Sequence, residues 1–230
     1  MLFRSQGTAD APILITTGDP EVPTGIGSSE TGGWSLRLSD CDHVLVRGLL
    51  VMSAGAGGIE ISGPEKGRSG TIGLVDLQLL PSDPEAFPNQ GVVARGLDRI
   101  TIVGVRIRGW VTNAVRVTDT RMVDARLIIS DGSIDEATCR TGLLVEKSDR
   151  ILVDSGSFVG LTDSAITIET DKTAEPTQLR IFRSVFFRTK TPLLLRAEGG
   201  SRLETLLKAN TYLEPGRLIA VEEIEGPTNS

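Results

Sequence analysis

An all-β, right-handed parallel β-helix of about eight to nine coils and three parallel sheets is the fold class this chain of 230 residues predicts. The runs WSLRL from Trp34, GIEI from Gly58, GVVA from Gly91, AVRV from Ala114, GLLV from Gly142, AITI from Ala165, PLLL from Pro192 and LIAV from Leu218 all alternate apolar and variable positions. From Gly58 onward their starts lie 23 to 33 residues apart. That is a solenoid period, and alternation of two selects strands over helical repeats. In the coils without an insertion a second apolar run follows the first at fixed register, with Leu36 and Val44, Val92 and Ile100, Val115 and Val123, and Leu143 and Ile151 all eight residues apart.

The elements follow in order along each coil. The first run carries the alternation, and Gly, Ser or Asp then turns the chain into the second run, where unusual backbone angles are needed. A third short run is readable as GLLV from Gly48, GVRI from Gly104, ARLI from Ala125, GSFV from Gly156 and SVFF from Ser184. Three runs per coil make a triangular prism, right-handed by the usual crossover preference. Inward positions are Ile59, Ile61, Val92, Val115, Val117, Leu143, Val145, Ile166, Ile168, Leu193 and Leu195. Valine, isoleucine and leucine suit ladders between stacked parallel strands.

Composition bounds the rest. A solenoid keeps one continuous core, so residues 1–230 read as a single domain that is 39% hydrophobic. A net charge of −6 is the wrong sign for a nucleic-acid footprint. No window of eighteen apolar residues predicts a membrane span, and the opening MLFRSQGTADAPILI has no signal-peptide core. That opening enters a strand almost at once, which leaves the first coil without a cap. Two readings stand: a missing amino-terminal segment, or self-association through the uncapped coil. Cys41 and Cys139 fall about four coils, roughly 19 Å, apart, too far for a disulfide.

Insertions at 63–70, 80–90, 130–141 and 171–178 border the first-run sheet on both sides and predict a walled trough suited to an extended polymer. Its floor holds two outward columns. One is Arg37, Glu60, Val93, Arg116, Leu144, Thr167, Leu194 and Ala220; the other is Ser39, Ser62, Arg95, Thr118, Glu146, Glu169, Arg196 and Glu222. Glu146 and Glu169 stand on adjacent coils, where mutual repulsion disfavours joint ionisation without a cation. They are the candidate Ca²⁺ ligands, with neutralisation by Arg196 and Lys147 as the alternative. Arg95 and Arg116 are placed to clamp uronate carboxylates, the alternative being ion pairs with Glu60 and Glu146. Arg37, Glu60 and Arg196 complete the expected substrate-binding floor. His43, the single histidine, reads as a turn residue. Trp110 is a candidate platform for a sugar ring, and Trp34 reads as a core cap.

The segments GTADAPILITTGDPEV and WSLRLSDCDHVLVRGLLV resemble early coils of the pectin-lyase-like right-handed parallel β-helix superfamily, in its alginate-lyase and chondroitinase-B-like branch; the resemblance covers roughly residues 7 to 222. It implies an extracellular or periplasmic protein acting on acidic polysaccharides by β-elimination, as a lyase or epimerase. Under it, Arg95 and Arg116 would be the catalytic, charge-neutralising residues and Glu146 and Glu169 would hold Ca²⁺. The branch also uses a lysine on the sheet, and no outward first-run position here is lysine. Inverting hydrolysis by Glu60 and Glu146 is a further geometric option, without a motif. The competing reading is a noncatalytic structural or interaction solenoid, as a truncated family member.

Overall fold

The structure, a computed structural model, describes the chain except for residues 1, 5, 18–24, 28–32, 54, 65–69, 84–86, 131–138, 172–175 and 225–230, and except for the side chains at 3 and 224. Strands and the turns between them account for the described residues, which contain no helix. The first runs stack into one parallel sheet of nine strands: Leu2–Phe3, Trp34–Ser39, Gly57–Ser62, Gln90–Arg95, Asn113–Thr118, Thr141–Glu146, Ser164–Thr170, Thr191–Glu198 and Ile219–Ile224. We call its outer surface the first face. The second runs, Ile13–Thr16, Val44–Arg47, Thr71–Val75, Arg99–Arg108, Met122–Ser130, Arg150–Asp154, Thr177–Phe182 and Leu203–Lys208, stack likewise into the second face. The chain is a parallel β-helix.

The expected third set of strands is present, including Leu50–Ser53, Gln78–Pro81, Ser157–Val159, Val185–Phe187 and Thr211–Leu213. Its hydrogen bonding differs from three separate sheets. Arg99–Arg108 and Met122–Ser130 pass without a break from the second face into the third, and this joins both faces into one 14-stranded sheet. The corner in the first of these strands is a register shift between Val103 and Val105. Gly104 sits there with φ 67°, and a Cβ at Gly104 would lie 2.5 Å from Asp76 Oδ1. Only glycine meets both demands.

At the end of the first runs Asp40, Asp119 and Lys147 each take φ 53°. Their N–H groups donate to the next coil, at Ser62 O (3.1 Å), Glu146 O (3.0 Å) and Glu169 O (3.1 Å). The turn thus prolongs the ladder, which offsets the cost of a left-handed non-glycine residue. Small residues opening the first runs have a packing cause too. A Cβ on Gly91 would lie 2.4 Å from Ala114 O, and one on Gly142 would lie 2.5 Å from Ala165 O.

Inside, the expected ladders hold: Ile59, Val92, Val115, Leu143, Ile166 and Leu193 are consecutive register partners, each buried. Leu195 is only partly buried, beside the terminal strand. Each such side chain contributes about 1.5–3 kcal/mol by leaving water. Phe158, Phe186 and Tyr212 form a second ladder, with ring centroids 5.3 and 5.1 Å apart and planes within 8°. Burial raises the Tyr212 hydroxyl above its ordinary pKa, opposed by a hydrogen bond with Asn210. Trp110 belongs to this core: it is fully buried and its Nε1 donates to Thr141 O at 3.1 Å, so it is no platform for a sugar. Cys41 and Cys139 are both buried, and neither is in a disulfide.

Candidate functional site

Both outward columns have the register the alternation predicts. Arg37, Glu60, Val93, Arg116, Leu144, Thr167, Leu194 and Ala220 are successive partners, as are Ser39, Ser62, Arg95, Thr118, Glu146, Glu169, Arg196 and Glu222. The floor is not open along its whole length. Thr167, Leu194 and Ala220 point outward yet are buried, which closes the first column beyond Leu144, while Glu169, Arg196 and Glu222 of the second column still reach solvent. The middles of the four flanking insertions, 65–69, 84–86, 131–138 and 172–175, lie outside the described residues, so the expected walls fall largely there.

The charged residues of the floor mostly satisfy one another. Arg116 reaches diagonally to the next coil, donating from Nε to Glu146 Oε2 at 2.6 Å and from Nη2 to Oε1 at 3.0 Å. Thr118 Oγ1 adds a third bond to Glu146, at 2.9 Å. That hydrogen-bonded carboxylate raises the Arg116 pKa above its ordinary value; partial burial opposes the rise, and the negative charges of Glu146 and Glu169 add to it. Arg196 bonds Glu169 on one side and Glu222 on the other, each at 2.9 Å, and its pKa rises chiefly through Glu169. Arg37 and Glu60 pair at 3.0 Å. Lys147 lies 3.8 Å from Asp171, so the expected neutralising lysine serves another carboxylate.

These pairs test the fit of Ca²⁺. The cation wants six to eight oxygen ligands. Both oxygens of Glu146 and Oε1 of Glu169 are already on arginine, and among the described residues no group of three or more His, Cys, Asp or Glu side chains converges. The donor set does not suit a resident metal. Glu60 and Glu146 do not suit an inverting pair either. They stand three coils apart, about 14 Å along the axis, where such a pair works at roughly 6.5–9.5 Å, and each is bound to its own arginine.

Arg95 is the exception. It is exposed and has no ion pair among the described residues; the pairing with Glu60 is absent because Glu60 faces Arg37. Arg95 lies in a cleft of about 530 Å³ where the first runs end and turn. Arg4 shares that cleft, together with the hydroxyls of Ser39, Ser62 and Thr118 and the carboxylates of Asp40 and Asp119. Alternation placed Arg95 on the floor. The turn residues Asp40 and Asp119 were legible only as corners, because a left-handed turn and a binding residue leave the same signal in one sequence. His43 is also a corner residue, with φ 50°, and Trp34 lies at the start of its strand against Gly57.

No protein-family model matches the sequence, and a search of curated proteins finds no match. Among solved structures the chain is similar to a GH136 lacto-N-biosidase from Eubacterium ramulus, with a TM-score of 0.46 and 10% identity over 97% of this chain. It spans 60% of that chain.

Proposed function

We propose that this β-helix binds an acidic saccharide chain across the first face, with Arg95 as the anchor for a uronate carboxylate. One observation carries the reading: of the four floor arginines Arg37, Arg95, Arg116 and Arg196, three are bonded to glutamate and Arg95 has no such partner among the described residues. An unpaired guanidinium supplies a bidentate fork for a carboxylate. The hydroxyls of Ser39, Ser62 and Thr118 on adjoining coils match a ligand rich in hydroxyl groups. Arg116 and Arg196 serve this site as fixed charge and scaffold, and Glu146 and Glu169 keep those arginines in place.

Kinship with the pectin-lyase-like branch, and with it uronate preference, is part of the same proposal. Its support is the early-coil segments, GTADAPILITTGDPEV and the run through HVLVRGLLV. Elimination chemistry would need a base beside the anchored uronate, and Lys147 is turned toward Asp171 instead. The reading is therefore binding without turnover.

The test is titration of oligogalacturonate, oligoalginate and a neutral oligosaccharide against the parent and Arg95→Gln. Acidic oligosaccharides should bind, weaken with added salt and lose about tenfold in affinity in the variant, with melting unchanged. Equal binding of neutral and acidic chains, or no loss in Arg95→Gln, overturns the reading. Appearance of an unsaturated product would make the protein a lyase.

A further inference from the structure

The second face carries its own charge pattern, and that pattern runs diagonally. Met122 pairs in register with Arg150, Leu152 with Arg180, and Arg180 with Leu206. One coil onward and two residues along therefore leads from Met122 to Leu152 to Phe182, and from Arg150 to Arg180 to Lys208. Each step is about 8 Å, from a coil spacing of about 4.8 Å and two residues of about 3.3 Å each. An apolar stripe thus lies directly beside a cationic one. Two hollows of about 310 and 430 Å³ meet at Phe182 and follow the apolar stripe.

Two acids of this face, Asp124 and Asp154, are committed to arginines outside the cationic stripe. Asp124 lies 3.4 Å from Arg99, and Asp154 is taken by Arg183 and Arg126. Among the described residues Glu204, opposite Gln178, and Asp149, next to Arg150 in sequence, are the other carboxylates near the cationic stripe. Arg150, Arg180 and Lys208 are exposed, and none has an ion pair among the described residues. Leu206, beside them, points outward from the sheet and is 50% exposed. In a chain of net charge −6 this is a local inversion of sign over an apolar floor.

We infer that this diagonal groove docks an extended acidic segment of a protein partner, with apolar side chains on the Met122–Leu152–Phe182 stripe and carboxylates on Arg150, Arg180 and Lys208. Two diagonal steps accommodate about five extended residues. A peptide fits better than a saccharide: the floor is largely aliphatic, and its polar flank offers almost only donors, whereas sugar hydroxyls also need acceptors. The inference is independent of the Arg95 site, which lies on another face.

The probe is a fluorescein-labelled peptide alternating glutamate with leucine and phenylalanine, beside versions with lysine for glutamate and with serine for the apolar residues. The parent should bind the first and neither of the others. Leu152→Ser, Lys208→Glu and the double variant Arg150→Glu with Arg180→Glu should each weaken binding about tenfold or more while melting like the parent, since all four side chains reach solvent. Binding of acidic oligosaccharide through Arg95 should be unchanged in these variants, which keeps the two readings separable. The inference falls if the parent does not bind the peptide, or if the serine version binds as tightly. It also falls if oligogalacturonate displaces the peptide and loses affinity in the double variant.

Discussion

Arg116 and Glu146 are joined across one coil by both prongs of the guanidinium, at 2.6 and 3.0 Å. The diagonal reach exists because Leu144 is the register partner of Arg116, and Glu146 is the next outward position along that strand. Two like charges in one column, Glu146 and Glu169, are thereby separated into two arginine pairs.

Glu146→Gln should destabilise the fold. From the column alone, removing one of two adjacent carboxylates would relieve repulsion and raise stability. With Arg116 and Thr118 donating to a largely buried carboxylate, the substitution instead discards charge-assisted bonds and should cost about 1–2 kcal/mol. Thermal melting of parent and variant decides it, and a higher melting temperature in Glu146→Gln would restore the repulsion account.

Calcium should leave the melting temperature of the parent unchanged. An ion between Glu146 and Glu169 would have to displace Arg116 and Arg196, and the pairs broken offset what the ion gains. A melting series across millimolar Ca²⁺ that climbs with concentration would show a metal site there.

Much of the fold was legible because a β-helix turns alternation into geometry: once Val92 and Val115 are aligned as inward, Val93 and Arg116 must face out. Less of the site was legible. Charge columns identify neighbours along the axis, yet Arg116 bonds diagonally while Arg37 and Arg196 bond straight along their columns. That choice depends on rotamers and on which partner is already engaged. The burial of Thr167 and Leu194 could not be read either, because their outward positions in the alternation carry no sign of being withdrawn from solvent. Trp110 misled for a related reason: a large aromatic after the third run suits a surface platform or a corner plug, and the Thr141 carbonyl made it the latter.

Val117→Asp tests the register. Val117 is fully buried between Ala94 and Val145 in the inward stack, so a carboxylate there has neither water nor a partner. The cost should exceed about 4 kcal/mol. Val93→Asp, outward on the preceding coil between Glu60 and Arg116, should stay within about 1 kcal/mol of the parent. Similar melting for the two variants would mean the faces are exchanged.

Acid stability should depend on Asp154. Arg183, by hydrogen bonding first and by its charge as well, holds the Asp154 carboxyl below its ordinary range; desolvation opposes this, while Ser155 and Arg126 assist. A carboxyl whose folded pKa is depressed contributes stability that is fully present above its unfolded value, about 3.9. That contribution disappears as pH falls through the lower folded value. Arg183→Gln removes the main cause. It should therefore lower melting at neutral pH and leave melting well below pH 3 nearly equal to the parent's, so the two curves of melting temperature against pH converge on acidification. Because Arg183 is exposed, the gap should also narrow in high salt. Parallel curves down to the acid limit would show that Arg183 acts through packing and not through the charge of Asp154.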